Sequence, residues 1–143
     1  METTPSLSLL EIRKTLSADR QTVFNALTKP EQLNQWMYAM DEGSAQVDMD
    51  LRVGGKYSVA MINPAAETVA TPYGEILEID PPNKLSMTWI TDGFVAHSIL
   101  TFELREVGEG TELTLRHELP DPAIEAHNGG WNTCLQNLET LLK

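Results

Sequence analysis

Apolar positions change their spacing along this chain, and each change marks an element. Between Leu7 and Leu16, apolar residues at Leu10, Ile12 and Leu16 keep an alternating spacing that predicts a strand. Val23, Phe24, Ala26 and Leu27 then fall at helical spacing, with Ser17 or Asp19 available as N-cap. Thr28-Lys29-Pro30 restarts the pattern, because proline is tolerated in a first helical turn, and Leu33 and Trp36 share a face of this second short helix. From about Ser44 the chain reads as consecutive strands separated by Gly54-Gly55, Pro81-Pro82-Asn83 and Gly108-Glu109-Gly110. It closes with Ile124, His127, Trp131, Leu135, Leu138 and Leu142 at steps of three and four. That spacing predicts a helix from Pro122 to Leu142, roughly 30 Å long, with Asp121 as N-cap and Pro122 at its first position.

One hairpin has a well-specified register. With Leu104 opposite Leu113, Phe102 meets Leu115 and Leu100 meets His117 on one face, while Arg105 meets Glu112 and Thr101 meets Arg116 on the other. Apolar pairing and charge pairing agree on it. For the hairpin before it two registers compete. Ile79 opposite Leu85 sets Leu77 against Met87 and Glu75 against Trp89, which turns a carboxylate toward the apolar face. A slip of one residue puts Ile76 there instead. The first matches more apolar pairs.

The expected architecture is α+β: a strand, two short helices, then a curved antiparallel sheet of six or seven strands in all, with a long C-terminal helix packed over it. Its inward apolar positions outnumber what one helix stripe covers, so a cavity is expected between sheet and helix. Residues 1–143 read as one domain, with 1–6 flexible. Gly129-Gly130 costs the last helix about 2 kcal/mol relative to alanines. Close packing, a kink, or room for a ligand beside Trp131 would each offset that cost.

The chain has 143 residues, enough to bury a core without disulfides. Its 41% hydrophobic and 22% charged residues are ordinary for a globular protein, and its net charge of -11 is not. Residues 73–143 carry twelve acidic and four basic side chains, against nine and six in residues 1–72. Phosphate backbones and anionic lipid surfaces would be repelled, so nucleic acid and membrane are set aside as partners. The single Cys134 has no internal disulfide partner, which fits a reducing compartment. There is no basic leader with an apolar run behind it and no stretch of spanning length, so the cytoplasm is the expected setting.

Several segments together resemble a known family. Val23-Phe24-Asn25-Ala26-Leu27-Thr28, Leu33-Asn34-Gln35-Trp36, Asp50-Leu51-Arg52-Val53-Gly54-Gly55 and Gly74-Glu75-Ile76-Leu77-Glu78-Ile79 carry the first half of the likeness. Leu85-Ser86-Met87-Thr88-Trp89, Gly110-Thr111-Glu112-Leu113-Thr114-Leu115 and Gly130-Trp131 with Leu135 and Leu138 carry the second. In this order they resemble the SRPBCC superfamily, and within it the group related to the activator of the heat-shock protein 90 ATPase. The resemblance implies a START-like helix-grip fold with a cavity under the long helix. It also implies a range of activities, from lipid and hormone carriage to polyketide cyclisation and co-chaperone function, among which a fold does not choose.

The candidate residues narrow that range. Asp50 to Gly55 is read as a structural turn, with Arg52 answering Asp50, because a strand rather than a helix follows it. His97 and His117 differ in parity and point to opposite faces, so no metal site is expected. His127 and Cys134 stand about 10 Å apart along the helix, too far for a thiol–imidazole pair. Cys134 is read as a small buried apolar residue. His117 with an inward Glu75 would be the minimum equipment for acid–base catalysis of a cyclase or hydratase type. Met37-Tyr38-Ala39-Met40 is apolar for a connection and suits an adaptable lid.

The leading expectation is a binding protein for a small, largely apolar molecule, in a cavity of at least ~300 Å³. Trp36, Tyr38, Met40, Tyr57, Met87, Trp89, Leu115, His117, His127 and Trp131 would line it. No cofactor is implied. A heat-shock protein 90 homologue is the alternative partner, and the oligomeric state is left open.

Overall fold

Segment Leu7–Leu16 forms strand β1, and its partner is the far end of the chain. The computed structural model describes residues 6–40, 42–93 and 95–143. Strand β1 runs antiparallel to β8 (Gly110–Pro120), from Leu7 opposite Pro120 to Leu16 opposite Thr111. Leu10 and Leu16 turn into the core, Ile12 packs against it, and Glu11 reaches Arg116 across the outer face. Residues 1–5, most of the segment expected to be flexible, lie outside the described residues.

Two short helices follow, as the change of period requires. Helix α1 (Arg20–Thr28) is capped by Asp19, whose carboxylate accepts the Thr22 N–H at 2.8 Å. Helix α2 (Pro30–Leu33) starts on its proline. The chain then lays down β2 (Ser44–Met49), β3 (Lys56–Ile62), β4 (Thr68–Ala70), β5 (Tyr73–Asp80), β6 (Lys84–Thr88) and β7 (Ile99–Val107). Seven strands form one curled antiparallel sheet in the order β1-β8-β7-β6-β5-β3-β2, and the short β4 pairs with β3 beside that path. The β7–β8 register is the one the charge and apolar pairs specify, with Leu104 opposite Leu113 and Leu100 opposite His117.

The β5–β6 hairpin uses both competing registers. Ile79 stands opposite Leu85 and Glu78 opposite Ser86, as in the first. A bulge at Leu77 then shifts the pairing, so that Ile76 meets Met87 as in the second. The expectation of an inward Glu75 is therefore corrected. Ile76 is fully buried, Leu77 is 42% exposed, and Glu75 shares the outer face with Lys56, to which it is ion-paired at 3.6 Å. The inward place goes to Gly74, where a Cβ would stand 2.2 Å from the Thr88 carbonyl oxygen. No side chain fits there.

The last helix, α3, runs from Ile124 to Leu141 and presses Trp131, Cys134, Leu135 and Leu138 into the sheet. Its start differs from the expectation. Asp121 does not cap it; a single 3₁₀ turn, Asp121–Ala123, intervenes, and the Asp121 carboxylate accepts the Ser8 hydroxyl instead. The Asn137 amide donates to the carbonyls of Trp36 and Tyr38, at 3.4 and 3.3 Å, and so ties α3 to the connection after α2. Among the described residues no helix is long and apolar enough to cross a membrane.

Candidate functional site

The Asp50–Gly55 turn is built to hold strands together. Arg52 donates to the Asp50 carboxylate at 2.7 Å, and Gly54 adopts φ +85°, a conformation L side chains rarely take. Gly54 and Gly55 exchange backbone hydrogen bonds with Ile76, at 2.8 and 2.9 Å, which docks the turn on β5. All of its polar groups named here serve the fold.

His117 is fully buried on β8, and its two ring nitrogens are both engaged. The Trp131 indole N–H can only donate, and it points at Nδ1 of His117 at 3.0 Å. Nδ1 is therefore the acceptor, and in the neutral ring the proton sits on Nε2. Nε2–H donates to Ser98 Oγ at 2.8 Å, and the Ser98 hydroxyl in turn donates to the Trp89 carbonyl at 2.7 Å. Burial, and secondarily the neighbouring His127, push the His117 pKa down to about 3. His117 is thus held neutral in one tautomer. It does not meet Glu75, which lies on the opposite face of the sheet, so the acid–base pair considered from sequence is not assembled. His97 is exposed in the connection before β7, whereas His117 is buried on β8.

An apolar cleft of about 180 Å³ opens beside this network. Helix α3 supplies Ala126, His127, Gly130, Trp131 and Cys134; the sheet side supplies Met61, Ala70, Pro72, Trp89 and Thr91; and Ala39, after α2, stands at the rim. It is smaller than the cavity expected, and the reason is the aromatic packing. Trp131 stacks edge-on to Phe102 at 6.0 Å and tilts against Trp89 at 5.1 Å, while Trp89 meets Tyr57 at 6.4 Å. These rings occupy the centre of the sheet–helix space and leave the cleft at one end.

Of the residues expected to line a site, Trp89, His127 and Trp131 do so. The others serve the core or the connections. Trp36 is buried with its indole N–H on the Ala26 carbonyl at 2.8 Å, and Tyr57 is buried with its hydroxyl on the Thr88 carbonyl, where burial raises its pKa. Met87 and Leu115 are buried and do not line the cleft, His117 is buried behind it against Trp131 and His127, and Tyr38 and Met40 are half-buried without forming its wall. In the 37–40 segment it is Ala39 that reaches the rim.

Sequence reasoning missed the small residues. Ala126, Gly130 and Cys134 recur every fourth position, which stacks them on one helix face. That spacing was the available signal. Gly130 leaves room beside Trp131, since a Cβ there would stand 3.3 Å from that of Ala39, whereas one on Gly129 would meet nothing within 4 Å. His127 turns its Nδ1–H to the Ala123 carbonyl at 2.9 Å, and burial lowers its pKa against the opposing effect of that bond. Burial likewise pushes the Cys134 thiol up to about 12, which keeps it protonated and unreactive.

A family model described as Activator of Hsp90 ATPase homolog 1-like protein matches residues 17–143. The chain belongs to this family. Among solved structures, protein CV1439 from Chromobacterium violaceum is similar at 26% identity and TM-score 0.85, over 94% of this chain and 96% of that one. CalU16 from Micromonospora echinospora is similar at 24% identity and TM-score 0.76, over 100% and 87% of the two chains. DynU16, of the dynemicin biosynthetic locus, matches at 18% identity and TM-score 0.78, over 94% of this chain and 46% of that one, and like CalU16 shows the fold alone. No curated protein matches the chain. These neighbours are of the SRPBCC fold, and this member of the Hsp90 ATPase activator homologue family has the same START-like architecture.

Proposed function

We propose that this protein binds a small apolar molecule, about one aromatic ring in size, in the cleft between α3 and the Met61–Thr91 side of the sheet. The observation that carries the reading is an apolar cleft kept open where side chains could have closed it. Ala39, Ala70, Ala126 and Gly130 surround a floor of two indoles. Its volume, about 180 Å³, is close to the ~150 Å³ of an apolar cavity known to hold benzene. A lipid chain or a multi-ring polyketide would have to displace the Trp89–Trp131 packing. A single ring would not.

The test is a titration of ¹⁵N-labelled protein with p-xylene, followed by NMR, together with native mass spectrometry of the freshly purified protein. Saturable shifts are expected at the amides of Ala39, Ala70 and Gly130 and at the Trp131 indole, and Gly130→Leu is expected to abolish them while the fold persists. Shifts that are absent, or that survive Gly130→Leu, overturn the reading.

A further inference from the structure

The two edges of the sheet are finished differently. Along β2 the amides of Ala45 and Val47 are taken by Asn34, the first by its carbonyl at 3.1 Å and the second by its side-chain oxygen at 2.8 Å. That edge is closed. Strand β1 is the other edge, and among the described residues no strand or loop pairs with its open side.

The register fixes which backbone groups face that side. The Asp121 N–H donates to the Ser6 carbonyl at 3.0 Å, and Ser6 with Asp121 is the pair adjoining Leu7 and Pro120. Antiparallel strands alternate bonded and non-bonded pairs, so the even-numbered residues from Ser8 to Leu16 bond to β8. Pro120, which has no N–H to give, stands opposite Leu7 in agreement with this. Leu7, Leu9, Glu11, Arg13 and Thr15 therefore direct their N–H and C=O groups outward, and all five are exposed. Such a row is a template for another strand.

The side chains say which strand. In a chain of net charge -11, residues 7–16 hold two basic side chains and one acidic, so a second copy is repelled less here than elsewhere. Two copies of β1 laid antiparallel about a two-fold axis at Ile12 set Glu11 of each opposite Arg13 of the other, and Leu9 opposite Thr15. Each of these pairs joins outward-facing residues. A shift of two residues in either direction puts Glu11 against Glu11 or Arg13 against Arg13, and like charges directly opposite are destabilising.

We propose that this protein forms a symmetric dimer through β1 in the register centred on Ile12, with about eight backbone hydrogen bonds between the copies. Glu11 and Arg13 already lie side by side at 3.4 Å within one chain, so the four charges of the dimer alternate in sign around a closed ring. Leu9, 53% exposed in one copy, is covered by Thr15 of the second, and the half-buried Ile12 meets its own counterpart.

Sedimentation-velocity ultracentrifugation over a concentration series, combined with charge reversal, tests the proposal. Wild type is expected to pass from monomer to dimer as concentration rises. Glu11→Arg and Arg13→Glu should each weaken the dimer at least about tenfold, although they change the net charge in opposite directions. An equimolar mixture of the two variants should re-form it as a heterodimer, because every arginine then faces a glutamate. Leu9→Pro removes only an outward N–H, so it should weaken the dimer and leave the β1–β8 pairing intact.

A wild type that stays monomeric at about 1 mM overturns the proposal. So does a dimer that survives both reversals, which would use another face, or a mixture of the two variants that stays monomeric. Hydrogen exchange of wild type reads the same edge without a variant, since the amides of Leu9, Glu11, Arg13 and Thr15 should gain protection with concentration. Protection already present in the monomer means that another part of this chain covers the edge, and also overturns the proposal.

Discussion

The indole N–H of Trp131 donates to Nδ1 of His117, and this one 3.0 Å contact determines the protonation of a buried histidine. It joins α3 to β8, places the His117 proton on Nε2, and so directs the hydrogen bonds of Ser98 and the Trp89 carbonyl in series. A histidine used in this way is a structural bridge and not an acid or base.

A glutamine should replace it and a leucine should not. In His117→Gln the amide oxygen can accept from Trp131 and the amide N–H can donate to Ser98, so stability should stay within about 1 kcal/mol of wild type. His117→Leu leaves the buried Trp131 N–H without a partner and should cost about 1–3 kcal/mol. Urea unfolding of the two variants measures the contrast, and equal losses would show that the hydrogen bonds do not matter.

Stability should also fall with pH in a window that His117 sets. Its folded pKa is about 3 against about 6.5 for an unperturbed histidine, so below pH 6.5 the unfolded chain binds a proton that the folded chain refuses. The contribution is fully favourable above that pH and declines by up to about 1.4 kcal/mol per pH unit until the pH approaches 3. His127, also lowered by burial, adds in the same direction. The unfolding free energy of wild type minus that of His117→Gln, followed from pH 7 to pH 4, should decrease steadily; a flat difference would refute the assignment.

Gly129 and Gly130 should respond oppositely to alanine. At position 129 a Cβ meets nothing within 4 Å, so Gly129→Ala should raise stability by about 1 kcal/mol through helix propensity alone and leave the cleft as it is. At position 130 the Cβ would press on Ala39 at 3.3 Å and narrow the cleft. Gly130→Ala should gain less stability and weaken p-xylene binding. Thermal unfolding and the same NMR titration test both halves.

Glu75→Gln should be nearly silent. Its ion pair with Lys56 is solvent-exposed, with Glu75 44% and Lys56 80% accessible, and such pairs contribute less than about 1 kcal/mol. Cleft binding should not change. A large loss of ligand affinity in this variant would mean that Glu75 reaches the cleft after all.

Local spacing was enough for every element whose signal is carried by neighbours in sequence. Leu10 and Leu16 alternate into the core, Asp19 caps α1, Pro30 opens α2, and the Leu104–Leu113 register follows from pairs that lie within one hairpin. The candidate site was less legible. Trp89, His127 and Trp131 were visible as large or polar groups on inward faces, but the residues that make the space are small, and an absent side chain leaves little trace in a hydropathy pattern.

The sequence by itself determined the order of elements, the sheet-and-helix class and the acidic outer surface, because each depends on periodicity and composition that no distant contact can alter. Tertiary structure decided the rest. It placed a bulge at Leu77, since β5 must satisfy β3 and β6 at once, and that bulge turned Glu75 outward and Ile76 inward. It committed His117 to Trp131 and Ser98, since Trp131 and Ser98 are distant in sequence and converge on one ring. It also reduced the expected cavity to a cleft, because the volume left between sheet and helix depends on how Trp89, Trp131, Phe102 and Tyr57 pack against one another, and a list of inward residues does not contain that geometry.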